Sequence, residues 1–565
     1  MASFLAVGFL AFVVFFGTSQ LAPSRSLVHH NPRSLISTHG EAEGARSEEH
    51  AEEGEDGEDE AKEEEFEGEE GEEGEPEEEE EEFDPVDYAI GSCLLGAVIM
   101  IMVMFWFVNN DDPDFRYYTW MTISLTTSIF VSVFTFDSVN GLIKYFLRGY
   151  SQKWLITAAL VQVFLYFIVM QVVIYFDAGL MDKGSVFDTN KKKIKNQKYE
   201  DHTIKEQVED REMRMKCWGA IGAHVTAFAA INFGGYFQRG PFFEDNAWSS
   251  YVIVVVIYCG HWLLTCMSKK CRSSDENSEH EDSYTNLVRD DKENQNFNYL
   301  TVPENARMWG QEVYADVMCE AEDDIASLCV SFLLMQATRN NISTVLTDHL
   351  GSEQHDHVHD RTQTTALLVV CLIFFLLLVG CVALTEVCFT DKKSELNRRI
   401  VALQGICAMS IAWSILFFIK WEIRREIPGM GNTSSNASRV TLATAITLLS
   451  FLIIYVLDKL ADMECTDSSA DKVIFRMIEA FGVLTGFSWE QAFDGGTEAI
   501  AWFNKDRVEP LWTEVLLAIV VALIVLPAWS RYILTQVIRL SKELEQRRKD
   551  EESAENGQAI EEPVE

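Results

Sequence analysis

No Walker phosphate loop, GxGxxG strand-turn-helix, GxSxG elbow or HExxH helix occurs in the 565 residues, so nucleotide, dinucleotide and common hydrolytic chemistry has no motif to rest on. No resident cofactor is expected. The enzymatic class left open is an intramembrane enzyme built from scattered carboxylates and histidines. Cysteine gives no support to redox or zinc chemistry: there are twelve, and no CxxC pair stands out. Cys93, Cys259, Cys371, Cys381 and Cys407 fall inside apolar runs, where a thiol behaves as a small apolar group rather than a disulfide partner. Basic residues are also scarce, with 46 Lys and Arg against 88 Asp and Glu and a net charge of -42. Phosphate backbones repel such a polyanion, which argues against nucleic acid as a partner.

Apolar runs dominate what is present. Blocks of roughly 20 apolar residues, the length that crosses a lipid bilayer, alternate with charged loops. Clean runs cover 88–108, 117–136, 154–176, 217–237, 248–267, 365–385, 400–419, 440–457 and 511–530. The expected fold is an all-α polytopic membrane protein, a helical bundle of about eleven transmembrane helices. Residues 1–19 open with an uncharged apolar run and a small-x-small Gly17-Thr18-Ser19, the pattern of a signal peptide for the secretory pathway. The usual basic n-region is missing, and an uncleaved anchor is the alternative. Residues 20–87 read as a disordered, acidic, extracytoplasmic tail, in which 41–84 carry more than half of the net charge. That tail is either a spacer or a weak collector of cations such as calcium.

Orientation follows from Lys and Arg, which collect on the cytoplasmic side. Lys191, Lys192, Lys193, Lys195 and Lys198 follow the third run, where anionic lipid headgroups are a natural partner. Lys269, Lys270 and Arg272 follow the fifth, Lys392, Lys393, Arg398 and Arg399 follow residue 385, and Arg531, Arg539, Lys542, Arg547 and Arg548 are among the residues that follow 530. The glycosylation sequons at Asn341, Asn432 and Asn436 make sense only outside. Both conditions hold if a further crossing lies between Arg272 and Asn341, and the apolar stretch there is 325–337. A short sixth span buried in the bundle is therefore expected, with a re-entrant segment as the alternative.

The resulting domains are a first bundle of five helices (88–267), a cytoplasmic polar loop (268–324), the short span (325–337) and an outer His-rich loop (338–364). A second bundle of five helices (365–530) and a cytoplasmic helical tail (531–565) complete the chain. Arg116, Arg214, Arg399 and Arg476 are each followed six positions on by Thr122, Ala220, Gly405 and Gly482. That recurrence suggests two related halves of the kind many transporters have. Chance combined with the charge bias is the other explanation.

One stretch departs from the clean pattern. Residues 473–498 place Arg476, Glu479, Glu490 and Asp494 among apolar residues, and ionised groups inside a membrane cost several kcal/mol unless they face protein or water. Helical spacing puts Glu479, Gly482, Gly486, Glu490 and Asp494 along one face. The two glycines form GxxxG, a helix-packing signal. Glu479 is either the partner of Arg476 or a proton or cation relay, and Glu490, Asp494, Glu498 and Glu514 form either an acidic vestibule or a solvated helix end. His224 and His261 fall at one depth if the fourth and fifth runs form a hairpin, which suits a proton or metal step as well as plain helix bonding. His355, His357 and His359 alternate in an outer loop with His349 nearby, a spacing that would hold a metal ion such as zinc or copper.

The leading expectation is a multipass transporter or channel for protons or metal cations whose path uses Glu479, Glu490, Asp494, His224, His261 and Glu514. The rival is a structural or receptor-like membrane protein whose acidic tail binds partners.

Overall fold

In a computed structural model the described residues are 98–180, 204–240, 247–272, 302–343, 358–388, 395–426, 436–463 and 468–558. Among them the chain is helical, with no strand. The signal-peptide and acidic-tail segments, the Lys191–Lys198 cluster, and His349, His355, His357 and Asn432 lie outside the described residues. The described residues from Met102 onward form one compact unit, to which 98–101 do not belong.

The helices are α1 (Val98–Val108), α2 (Pro113–Phe146), α3 (Gln152–Asp177), α4 (Ile204–Gln238), α5 (Ser250–Arg272) and α6 (Val302–Ser343). They continue as α7 (Arg361–Cys388), α8 (Glu395–Glu426), α9 (Asn436–Ala461), α10 (Ser468–Phe503), α11 (Pro510–Ala528) and α12 (Thr535–Gln558). A π-helical turn, Trp529–Leu534, joins the last two. Local chemistry sets several of the ends. The Asp112 carboxylate accepts from the amides of Asp114 and Phe115, and Pro113 occupies the first helical position, where its missing N–H costs nothing. Gly179, at φ +72°, closes α3: its own N–H reaches the Phe176 carbonyl and the next reaches Tyr175. A Cβ on Gly310 would sit 2.6 Å from the Ala178 carbonyl oxygen, so that closed end is also where α6 meets α3.

Among the described residues seven helices are long and apolar enough to cross a membrane: α2, α3, α5, α7, α8, α9, and the stretch from Pro510 to Arg547 that contains α11. Their burial divides them. Most of the apolar window of α8 and over half of that of α2 are buried, against less than a fifth for α5 and α7. On α7 the side chains of Leu372, Ile373, Leu376 and Leu377 all point out of the protein, and on α11 so do Leu523 and Ile524. An apolar surface that long has a suitable solvent in lipid, not in water.

Three more helices, α4, α6 and α10, run 35, 42 and 36 residues, each beyond the roughly 30 Å of a hydrocarbon core at about 1.5 Å per residue. They carry too much charge to resemble lipid-facing spans, and they lie inside. α6 packs against α4 and α8, α10 against α2, α8 and α9. The stretch 325–337, expected as a short span after a polar loop, is the middle of one continuous helix that begins at Val302. Its flanking Glu320, Glu322, Asp323 and Asp324 break the apolar run without breaking the helix.

Close approach of α10 to α2 depends on its glycines. A Cβ on Gly486 would lie 2.9 Å from the Thr126 Cα, and one on Gly482 would lie 3.0 Å from the Leu125 side chain. Along α2 the hydroxyls of Thr119, Thr122, Thr127, Thr135 and Ser138 donate to the carbonyl four residues back, so they need no partner on the facing helix. The packing follows a pattern: α3 lies along α4 as α9 lies along α10, and α2 touches α4 as α8 touches α10.

Candidate functional site

Helices α2, α4, α6, α8 and α10, with the π turn and the start of α12 on one side, surround a cavity of about 480 Å³. Ser124 and Ser128 reach it from α2, Lys216 and His224 from α4, Glu320, Asp323 and Asp324 from α6, Gly405 from α8, and Arg476 and Glu479 from α10. Trp529 closes one side. The π turn after Pro527 aims its ring inward, and its indole N–H donates to Ser124 Oγ at 2.9 Å. Asp324 is enclosed by the bundle yet solvent-exposed, because it opens into this cavity. The lining carries four carboxylates against the two cations Lys216 and Arg476, an arrangement that favours positive charge.

Glu479, the residue singled out on the charged span, lines the cavity and accepts from Arg476 at 2.9 Å. Both side chains are about one-third exposed, 34% and 32%. The pair therefore stands in contact with water. His224 lies deeper, with its Nδ1 3.4 Å from Ser128 Oγ. His261 is elsewhere: its electrostatic partners are Glu322 and Arg398. No hydrogen bond or ion pair joins the two rings, so the structure does not bring together the pair expected from their depth.

One turn beyond the cavity an aromatic layer crosses the bundle. Phe487 of α10 is at its centre, with ring centroids 4.7 Å from Trp413 (α8), 6.1 Å from Phe332 (α6) and 6.3 Å from Phe228 (α4). Phe136 of α2 extends the layer, 6.4 Å from Phe228. Trp413 is held in place by its N–H donating to Ser331 Oγ at 3.1 Å. On all five helices the cavity residues precede the aromatic one in sequence. Helices α2, α4, α6, α8 and α10 therefore run parallel to one another.

Past the layer lies a second acidic cluster. Glu490 is 7% exposed and faces Asp494 and Asp137. Asp137 of α2 also faces Glu514 of α11, with Lys144 nearby. Asp494 pairs with Arg439 of α9 at 3.4 Å, and Arg439 reaches Glu498 at 3.9 Å. Glu490, Asp494 and Glu514 are thus brought together, and the group that joins them is Asp137. It was missed because it follows directly on the apolar run 117–136 and looks like the start of a loop.

Glu322 was missed too. Its carboxylate is fully buried and accepts from Arg272 at 2.8 and 3.2 Å and from Arg398 at 2.9 Å, tying α5, α6 and α8 at one end. Of the expected metal-binding histidines only His359 is described, and its ring stacks on Trp421 at 3.7 Å. The group of acids close enough to share an ion is Asp112, Asp458 and Asp462, among the described residues. Lys459 sits between them, 2.6 Å from Asp112, 3.3 Å from Asp458 and 2.8 Å from Asp462. Burial works against the Asp112 charge, but Lys459 and two backbone amides outweigh it and hold its carboxyl below the usual range. Of the sequons, the Asn341 amide donates to the Ala247 and Ala337 carbonyls, and Asn436 packs on Gly495.

Comparison with protein-family models, with curated proteins and with solved structures finds no match. The site must be read from its own chemistry.

Proposed function

We propose that this chain is a multipass transporter or channel for cations, with protons among the candidates. The observation that carries the reading is the sequence of layers along one axis: an acidic cavity, an aromatic plug, then a second acidic cluster. Carboxylates on both sides concentrate cations, and a ring of aromatic side chains between them is the kind of constriction that stops flow by excluding water. The arrangement matches a closed path that is open on one side.

On this reading α4, α6 and α10 cross the membrane as well, giving eleven crossings when the run at 88–108 is counted. The loops before α2, α4, α6, α8 and α10 then lie on the cavity side. Several of them hold the basic clusters, so the positive-inside bias puts the cavity on the cytoplasmic side and the sequons outside. The matched packing of α2, α3 and α4 with α8, α9 and α10 supports two related halves, with α6 wedged between α4 and α8.

Proton and cation flux into liposomes carrying the purified protein tests this. Wild type should conduct, and Glu479→Gln should reduce flux by about tenfold, a loss equivalent to 1.4 kcal/mol at the cavity mouth. Absence of flux from folded, oriented protein across a broad ion panel would transfer the reading to a receptor or scaffold whose Arg476–Glu479 and Arg272–Glu322–Arg398 pairs serve packing alone.

A further inference from the structure

We infer that the cavity is a binding site for an organic ammonium ion, a protonated primary amine on an apolar body, with Glu320 and Asp324 as its counter-charges. For a role in transport the site rests on the reading above and names the substrate class; as a binding site it stands on the cavity alone. Of the four carboxylates that line the cavity, two are engaged: Glu479 with Arg476 at 2.9 Å and Asp323 with Arg398 at 3.6 Å. Glu320 and Asp324 are the other two. Both are exposed within the cavity, and neither forms a hydrogen bond or ion pair among the described residues. The cations that face them, Lys216 and Arg476, are held by other acids, Lys216 by Glu212 at 3.3 Å and Arg476 by Glu479. Carboxylates four residues apart on one helix are neighbours, with Cβ atoms roughly 5–6 Å from each other. An ammonium group carries three N–H donors and fits between two such acids, donating to both.

Much of the remaining lining is hydrocarbon. Met121 and Leu125 of α2, Met409 of α8 and Val483 of α10 contribute to it, with Leu328 one turn past Asp324 on α6. Methionine in particular adapts to the shape of an irregular apolar body. Such a lining does not suit a bare metal ion, which takes oxygen ligands on every side. Among the described residues no three acids of the cavity lie close enough to share an ion; Asp112, Asp458 and Asp462 do, but they are outside the cavity and Lys459 already stands between them. The volume, about 480 Å³, falls within the roughly 300–1,000 Å³ of small-molecule sites. His224 adds a polar contact for the ligand. It is 4% exposed and lines the cavity, its Nδ1 is spent on Ser128, and its other ring nitrogen makes no hydrogen bond among the described residues.

Calorimetric titration of the purified full-length protein with phenethylammonium chloride, in detergent at neutral pH, tests the site. Wild type should show one saturable site above the partition of the amine into detergent, which all variants share. Ammonium chloride, which has the charge without the body, and phenethyl alcohol, which has the body without the charge, should each bind about tenfold more weakly or worse. Asp324→Asn and Glu320→Gln should each weaken amine binding by about tenfold or more, whereas Asp462→Asn, an exposed acid outside the cavity, should stay within about threefold. Ala402→Phe keeps every charge but fills the cavity from α8, and it should lose binding as well. In thermal melts the amine should raise the melting temperature of wild type and leave that of Asp324→Asn unchanged. No saturable site in wild type, equal binding of phenethyl alcohol, or an unchanged titration for Asp324→Asn would overturn the assignment. Amine binding that depends on Asp324 without any liposome flux would keep the site and remove the transport reading, and cation flux without amine binding would do the reverse.

Discussion

Glu322→Ala should be among the most damaging single substitutions in the protein, lowering stability by about 3–5 kcal/mol. The carboxylate is fully buried and is shared by two guanidinium groups, Arg272 at 10% exposure and Arg398 at 25%. Removing it leaves two cations close together, with Asp323, 3.6 Å from Arg398, as the remaining acid paired with either among the described residues. The cost is dominated by those stranded charges rather than by the lost hydrogen bonds. It falls on the junction of α5, α6 and α8, so helix packing at that end should loosen first. Thermal unfolding of the purified protein reads the effect. A melting temperature equal to that of wild type would mean that Glu322 is not the anchor the geometry makes it.

Phe487→Ala should open the plug. The ring touches partners on three other helices, and no second residue occupies the same place. Truncation leaves a void into which water from the cavity can advance, and water is what the layer excludes. Basal leak through liposome-embedded protein should rise by about tenfold or more, since each 1.36 kcal/mol removed from a barrier is worth that factor. Lost packing should cost about 3–5 kcal/mol as well, so the leak is to be compared among folded samples. Phe487→Leu refills much of the space and should restore most of the seal. A leak that is the same in wild type and Phe487→Ala would show that the layer is ordinary core.

Much of the architecture was legible in composition. Runs of Leu, Ile, Val and Phe mark α3, α5, α7 and α9 because those helices meet an apolar surrounding along most of their length. The charged stretch at 473–498 was legible for the opposite reason: Arg476, Glu479, Glu490 and Asp494 stand out against their apolar neighbours, and α10 carries all four at the centre of the bundle. The helix α6 was seen only as a fragment. Its acids look like a loop unless Arg272 and Arg398, 50 and 76 residues away, are known to neutralise Glu322. The aromatic layer had no local signature, since Phe136, Phe228, Phe332, Trp413 and Phe487 are unremarkable apolar residues until five helices set them at one level. His224 and His261 show the limit of depth arguments: equal height on a hairpin says nothing about facing, and their neighbours belong to different helices.

The most direct test of the whole account is the sidedness of two introduced cysteines, Ser327→Cys in the cavity and Gly496→Cys beyond the outer cluster, in a chain whose native cysteines have been replaced. A side chain at Gly496 meets nothing within 4 Å, so that substitution leaves the packing undisturbed. Labelled with a membrane-impermeant thiol reagent in sealed vesicles of known orientation, Ser327→Cys should react from the cytoplasmic face only and Gly496→Cys from the opposite face only. Reaction of both from the same face would contradict a path through the bundle, and the transport reading would fall with it.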